Sequence, residues 1–355
     1  MRDKEKILSK IREYGADALI ILDESTRYWA TEFRSSAGVV IISEKEIALF
    51  LDGRYVEKAN SEKPIAEIYP CSKGIVSEAC NYICQSCFKS VIVDESRITL
   101  SEYKQLSNLL KDINLKHKNN ILNEFISIKN DKEIALIKEA VKITDECFLH
   151  ILNVIKKEIT EADVAAEINY FINKRGCETA FDTIAVSGIK SSMPHGCPDR
   201  VELTENSFLT MDFGAKFKGY CADLTRTVVL GTADEEMKFV YETVQKANVL
   251  GISAAKEGIK CSDVDYAARN YISDNGFGDY FTHSTGHSLG VEIHESPSVS
   301  SLSQSVLQAG NVITIEPGIY IPNKYGVRIE DTVLITPNGA EVLSAAPKNL
   351  IEIKI

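Results

Sequence analysis

No apolar run in the 355-residue sequence approaches the roughly 20 residues needed to cross a bilayer, and Met1-Arg2-Asp3-Lys4-Glu5-Lys6 lacks the apolar core of a secretory signal. A membrane partner is therefore not expected, and the expected setting is cytoplasmic. Runs of Lys and Arg are missing too, and a formal net charge of −11 repels phosphate backbones, which argues against nucleic acid as a partner. The nine cysteines lack regular spacing and are odd in number, so they point to a reducing compartment and not to an extracellular disulfide framework. With 44% hydrophobic and 26% charged residues, the chain has the composition of neither a disordered protein nor a fibre, and it is long enough for two packed domains.

Residues 1–124 alternate short helical stretches with β-rich runs such as Ala18-Leu19-Ile20-Ile21-Leu22, Gly38-Val39-Val40-Ile41-Ile42 and Val91-Ile92-Val93, which predicts a first domain of α/β type. The polar stretch Lys116-His117-Lys118-Asn119-Asn120 marks its end, and residues 125–355 form the second domain. There the spacing predicts a long amphipathic helix over Asp131 to Lys157, with Asn130 and Glu133 as a capping box, and a second helix over Glu161 to Lys174 stopped by Gly176. After a strand-rich stretch the helix pair recurs at Asp234 to Glu257 and Ser262 to Ser273. Asp163, Val164, Ile172 and Gly176 return as Asp263, Val264, Ile272 and Gly276, each 100 positions on. Each helix pair precedes a hairpin with two carboxylates, so the reading is an internal duplication with the active site between its halves.

The first hairpin spans Met211-Asp212-Phe213-Gly214 to Ala222-Asp223. With Phe217-Lys218 as its two-residue loop, Asp212 faces Asp223. Directly opposed Cβ atoms lie about 4.5–5.5 Å apart, where two carboxylates repel unless a proton or cation lies between them. In the second hairpin Glu316 and Glu330 are symmetric about Asn323, with a register that a bulge would shift. Between the hairpins, His283, His287 and His294 make up half of the six histidines. Four carboxylates with one or two imidazoles form a hard, oxygen-rich donor set able to share two divalent ions, favouring Mn²⁺ or Co²⁺ over a thiolate-type zinc site. Two such ions about 3.5–4 Å apart activate water and polarise a carbonyl, so hydrolysis is the expected chemistry.

These residues resemble the pita-bread metallopeptidases, the family of Xaa-Pro aminopeptidases, prolidases and methionine aminopeptidases. The resemblance rests on Met211-Asp212-Phe213-Gly214, Ala222-Asp223-Leu224-Thr225-Arg226-Thr227, Gly286-His287, Ile293-His294-Glu295, Ile315-Glu316-Pro317-Gly318 and Arg328-Ile329-Glu330-Asp331. It implies an α/β creatinase-like N-terminal domain and an α+β pita-bread catalytic domain with pseudo-twofold internal duplication. It also implies that Asp212 holds one ion, that His287 and Glu316 hold the other, and that Asp223 and Glu330 bridge the two, the ions being Mn²⁺ with Co²⁺ or Zn²⁺ as alternatives. By the same resemblance His195 and His294 contact the substrate carbonyl, Glu316 shuttles the proton, Arg328 faces the carboxylate network or the substrate, and His283 and Tyr320 help form the pocket for the residue after the scissile bond. For Arg328 the competing reading is an ordinary ion pair, and for Tyr320 a core aromatic.

Thr26-Arg27-Tyr28-Trp29 and Leu51-Asp52-Gly53-Arg54-Tyr55 resemble the N-terminal domain of the proline-directed branch, which implies a homodimer that cleaves the bond between an N-terminal residue and proline in a peptide or dipeptide. That amide is tertiary and has no N–H. Ser288 and Glu32 stand where the family commonly has glycine. Two rival readings compete with this one. Cys80, Cys84 and Cys87 have the spacing of a radical-enzyme cluster site, or of one buried helix face. Some pita-bread proteins serve as metal-free binding modules or creatinase-like hydrolases.

Overall fold

The computed structural model describes residues 3–355, in two compact units, one ending at Ile126 and the other running Ser127–Ile355. In the first unit the strands Ala18–Ile21, Val39–Ser43, Ile47–Asp52, Glu67–Cys71, Ser90–Asp94 and Asn114–Lys118 form one six-stranded sheet. Ala18–Ile21 lies inside it, antiparallel to Val39–Ser43 and parallel to Ser90–Asp94. Leu19 and Ile21 pack with Ile7, Leu8 and Ile11 of the helix Lys4–Glu13. Ala18 and Ile20 pack with Ala79 and Ile83 of the helix Ile75–Gln85 on the other face. A strand covered on both faces must be apolar throughout, hence the unbroken run in the sequence.

Cys80 is buried, Cys84 is exposed, and Cys87 lies past the end of the helix at φ 58°. The three thiols therefore do not share one buried helix face, and among the described residues they do not come together as a group that could hold a metal. Glu32, at the C-terminus of the helix Glu24–Thr31, also takes a left-handed conformation, φ 58°.

The second unit contains the helix pairs Asp131–Ile151 with Glu161–Lys174, and Glu235–Ala254 with Cys261–Asp274. Asn130 and Glu133 form the expected capping box. The first helix stops at Ile151, short of Lys157: the chain tightens into a turn, with the Val154 N–H on the Ile151 carbonyl at 2.9 Å, and Glu158 reverses it at φ 73°. The duplication extends to individual hydrogen bonds. Gly176 and Gly276 end the shorter helices at φ 72° and 85°, and the next N–H, of Cys177 and Phe277, returns to Ile172 at 3.3 Å and Ile272 at 3.1 Å.

Each helix pair covers a sheet. Phe148, Ile151, Ile168 and Ile172 pack with Leu209, Met211 and Val228 of the sheet formed by Ile184–Ser187, Ser207–Phe213, Leu224–Leu230 and Glu352–Ile353. Ala255, Cys261 and Val264 pack with Ile313, Ile315 and Val333 of the sheet built from Gly286–Ser288, Glu295–Val299, Val312–Ile315, Asp331–Thr336 and Gly339–Val342. Each large apolar side chain buried this way contributes roughly 1.5–3 kcal/mol by leaving water, which makes the sheets rigid carriers for the polar groups between them. Among the described residues, no helix is long and apolar enough to cross a membrane.

Candidate metal centre

The first hairpin turns at Lys218-Gly219, both at positive φ, 44° and 83°, with Phe217 paired to Tyr220. A two-residue turn of this twist needs positive φ at both central positions, which glycine supplies and Phe217 resists. The register is therefore two residues from the expected one, and Asp212 faces Thr225 instead of Asp223. An even shift keeps the same residues on the same sheet face. Pairing is interrupted at Ala222-Asp223, where the chain presses against Gly214 so closely that a Cβ there would lie 1.8 Å from the Ala222 carbonyl oxygen. Asp223 is buried at this break.

The second hairpin keeps the expected symmetry about Asn323: Gly318 pairs with Arg328 and, beyond a gap, Ile315 pairs with Asp331. Glu316 and Glu330 occupy that gap. Pro317 has no N–H for a ladder bond, and the Glu330 N–H goes to the Thr225 carbonyl of the first hairpin at 3.1 Å. Each hairpin thus breaks at a carboxylate and turns it toward the other.

His287 sits on the short strand Gly286–Ser288. A Cβ on Gly286 would lie 1.9 Å from the Thr314 carbonyl oxygen, so only glycine allows this approach. The His287 N–H donates to Thr314 Oγ1 at 3.1 Å, and Nδ1 lies 3.2 Å from the Ser288 carbonyl. A carbonyl only accepts, so Nδ1 carries the hydrogen and Nε2 presents a lone pair. That lone pair faces Glu316 Oε1 at 3.3 Å and Asp223 Oδ2 at 3.5 Å.

The remaining side chains are tied by hydrogen bonds. Arg328 donates to Asp212 Oδ2 at 2.6 Å, Tyr320 Oη at 2.7 Å, Thr225 Oγ1 at 3.0 Å and the Pro194 carbonyl at 3.2 Å. Tyr320 in turn donates to His283 Nε2 at 2.8 Å, and His283 Nδ1 donates to the Ser284 carbonyl at 2.8 Å. Thr225, fully buried, passes its hydrogen to Glu330 Oε2 at 2.8 Å. Asn248 donates to the Ile315 carbonyl at 2.8 Å and reaches the Ile329 carbonyl at 3.5 Å, fixing the residues before Glu316 and Glu330. His294 is exposed, and its ring centroid lies 4.4 Å from that of His287. His195, also exposed, lies on the loop after Met193, close enough for its charge to act on both His283 and His294.

Burial drives the electrostatics. It raises the Asp223 carboxyl well above its usual range, with Glu330, Asp212 and Glu316 adding to the effect. Glu330 is raised in the same way, first by burial and then by Glu316 and Asp212. Glu316 is pushed to about 7, chiefly by burial. His287 is lowered by burial, and so is His283, to about 3. Neutral imidazole beside carboxylates is the state a metal ligand requires.

Asp212 Oδ1, Asp223 Oδ1 and Glu330 Oε1 are buried with no hydrogen-bond partner. Orphaned buried oxygens of this kind are costly unless a cation takes them up. Among the described residues, Asp223, His287 and Glu330 bring one ligand atom each within 4.8 Å of one another. The donor set is therefore suited to a divalent cation. Of the residues singled out in the sequence, Asp212, Asp223, His287, Glu316 and Glu330 lie together, Arg328, Tyr320 and His283 form a hydrogen-bonded chain leading from Asp212, and His294 stands at the exposed side of His287, with His195 on the exposed loop after Met193. Thr225, Thr314 and Asn248 are not apparent from pattern alone, although Asn248 is a polar residue on the buried helix face of Val244, Ala247 and Gly251.

Residues 135–337 match the metallopeptidase family M24, and residues 4–125 match the creatinase/prolidase N-terminal domain. The chain is similar to the Xaa-Pro dipeptidase of Pyrococcus horikoshii, 34% identical over 359 aligned positions covering 98% of each chain. Its fold matches a solved Xaa-Pro dipeptidase from Bacillus anthracis, 36% identical, with a TM-score of 0.95 and 99% of each chain covered. It also matches an X-Pro aminopeptidase from Thermotoga maritima, 31% identical, with a TM-score of 0.91 over 97% of this chain and 100% of that one. With its creatinase-type domain followed by a pita-bread domain carrying the buried carboxylate–histidine centre, the chain belongs to metallopeptidase family M24.

Proposed function

We propose that the protein hydrolyses the bond between an N-terminal residue and proline, in a dipeptide or a longer peptide, using two divalent ions, with Mn²⁺ favoured. The observation that carries the metal reading is the set of unpartnered, buried oxygens on Asp212, Asp223 and Glu330 around the His287 lone pair. Oxygen-rich donors with one imidazole suit Mn²⁺ or Co²⁺ better than a thiolate-loving ion. When bound, the ions supply Lewis acidity at the scissile carbonyl and lower the pKa of the attacking water.

Asp212 would hold one ion, His287 and Glu316 the other, and Asp223 and Glu330 both. Glu316, whose Oε1 takes the Thr314 hydroxyl at 3.2 Å, would carry the proton from water to the leaving amine. His195 and His294 donate to the carbonyl oxygen as charge develops on it. His283, Tyr320 and Arg328 shape the pocket for proline, whose ring nitrogen asks for no acceptor.

Proline specificity is supported by the similarity to Xaa-Pro dipeptidases and to an X-Pro aminopeptidase. The family resemblance supports a homodimer, and nine cysteines without a disulfide among the described residues suit a reducing cytoplasm. A metal-free role draws no support from the unpartnered buried oxygens of Asp212, Asp223 and Glu330.

The test is cleavage of an Xaa-Pro dipeptide and an Xaa-Pro pentapeptide by chelator-stripped protein, with and without Mn²⁺. Metal-dependent release of the N-terminal residue is expected, and the ratio of rates separates dipeptidase from aminopeptidase. Failure to cleave either peptide with metal bound would overturn the substrate assignment.

A further inference from the structure

Lys129 lies just before the capping box of the helix Asp131–Ile151 and is 4% exposed. Its backbone is held in place: the Lys129 N–H donates to the Gly310 carbonyl at 2.8 Å, Ile128 bridges to Asn311, and Asn311 Nδ2 donates to the Ser127 carbonyl at 3.0 Å. The ammonium has three acceptors, Glu295 Oε2 at 2.8 Å, Ser288 Oγ at 3.1 Å and the Ser127 carbonyl at 3.3 Å. All three of its hydrogens are therefore placed. The ion pair is almost dry, the Lys129 and Glu295 side chains being 1% and 3% exposed.

The residues it holds have telling neighbours. Ser288 follows His287, and Glu295 follows His294. Ser288 and Glu295 pair across two strands beside a register shift between His287 and Ser288, and such bulges re-aim side chains. The Ser288 hydroxyl donates to the Val312 carbonyl at 2.9 Å, leaving its lone pairs to Lys129. Glu295 Oε1 accepts the Glu292 N–H at 3.1 Å, and a Cβ on Gly290 would lie 2.7 Å from both Glu295 oxygens. One cation thus grips, from behind, the residue after each of two imidazoles whose centroids are 4.4 Å apart.

A buried ion pair adds little net stability relative to shape-matched neutral side chains, so stability alone does not account for this one. We propose that Lys129 is a positioning residue, which through Glu295 and Ser288 sets the spacing of His287 and His294. The role rests on the proposed reading of His287 as a metal ligand and His294 as a substrate contact. Ser288, where the family commonly has glycine, gives the ammonium a third acceptor on the strand that carries His287.

The test is the double variant Lys129→Met with Glu295→Gln, which keeps shape and removes both charges together. Three quantities are read: the melting temperature of the metal-free protein, Co²⁺ affinity by visible absorption, and kcat and KM on an Xaa-Pro peptide. Melting close to that of the unaltered chain is expected, with Co²⁺ affinity and kcat each lower by about ten-fold or more and KM moving less. Unchanged Co²⁺ affinity and kcat would overturn the positioning role. Should the double variant not fold, Ser288→Ala carries the test in the same terms, with weaker Co²⁺ binding expected and unchanged binding overturning the proposal. An unaltered chain that binds no Co²⁺ would instead sink the metal reading, and the positioning role with it.

Discussion

Arg328 Nη2 meets Asp212 Oδ2 at 2.6 Å, leaving Asp212 Oδ1 buried and unpartnered. The guanidinium therefore decides which oxygen of Asp212 is offered to a cation. Ordinary ion pairing and a role at the site are not rivals for this residue, because under the proposed metal reading the pair would aim Asp212. Burial alone would lower the pKa of Arg328, but Tyr320, Asp212 and Glu316 outweigh it and keep it fully charged.

Arg328→Lys is expected to reduce kcat/KM by roughly 10–100-fold although the charge is kept, because an ammonium cannot reproduce a rigid fork to Asp212, Tyr320 and Thr225. Steady-state kinetics with metal content measured in parallel would check this; parental kinetics would show that charge alone suffices.

Metal-free protein should lose stability as pH rises. Glu316 is raised to about 7, and Asp223 and Glu330 are also raised, mainly by burial, whereas unfolded carboxyls titrate near ~4. The folded state then holds more protons between those limits, so this contribution is complete below the unfolded value and disappears as pH climbs through the folded one. Melting scans from pH 5 to 8 should fall without metal and flatten with saturating Mn²⁺. At pH 7, titration calorimetry in two buffers should find about one or more protons released on metal uptake.

Asp223→Asn should abolish metal-dependent turnover by about a thousand-fold or more, yet raise the melting temperature of metal-free protein at pH 8, since one of four mutually repelling carboxylates is gone. A fall in that melting temperature would count against the repulsion.

Thr225→Val removes the hydroxyl between Arg328 Nε and Glu330 Oε2 while keeping the shape. A loss of about 1–3 kcal/mol in chemical denaturation is expected from the two groups left unpaired, together with weaker metal binding.

Glu32→Gly, in the first unit, should stabilise by about 0.5 kcal/mol: a left-handed non-glycine residue costs about 1–2 kcal/mol, partly offset by the freedom glycine gains in the unfolded chain. Urea denaturation would show a higher midpoint, and an unchanged or lower one would mean that the φ of 58° carries no penalty.

Much of this molecule was legible because it is written locally. Capping boxes, the two glycine stops and the apolar strand Ala18–Ile21 each depend on neighbours a few residues away. The second hairpin kept its register because both flanks obey the symmetry about Asn323, while the first slipped by two because the turn forms at Lys218-Gly219, where glycine supplies the positive φ that Phe217 resists. The supports of the centre were illegible for a different reason. Thr225 meets Glu330 across 105 residues and Lys129 meets Glu295 across 166, and no periodicity or motif encodes a partner at that distance.

Those separations bear on how the chain reaches its native state. Asp212 and Asp223 ride on one half of the duplication and His287, Glu316 and Glu330 on the other, so no half-formed domain presents a complete cage. An ion held by these five residues, as proposed, would template neither half; it would lock the two after they have docked. Bound ion should then act mainly on the escape route, slowing unfolding far more than it hastens folding.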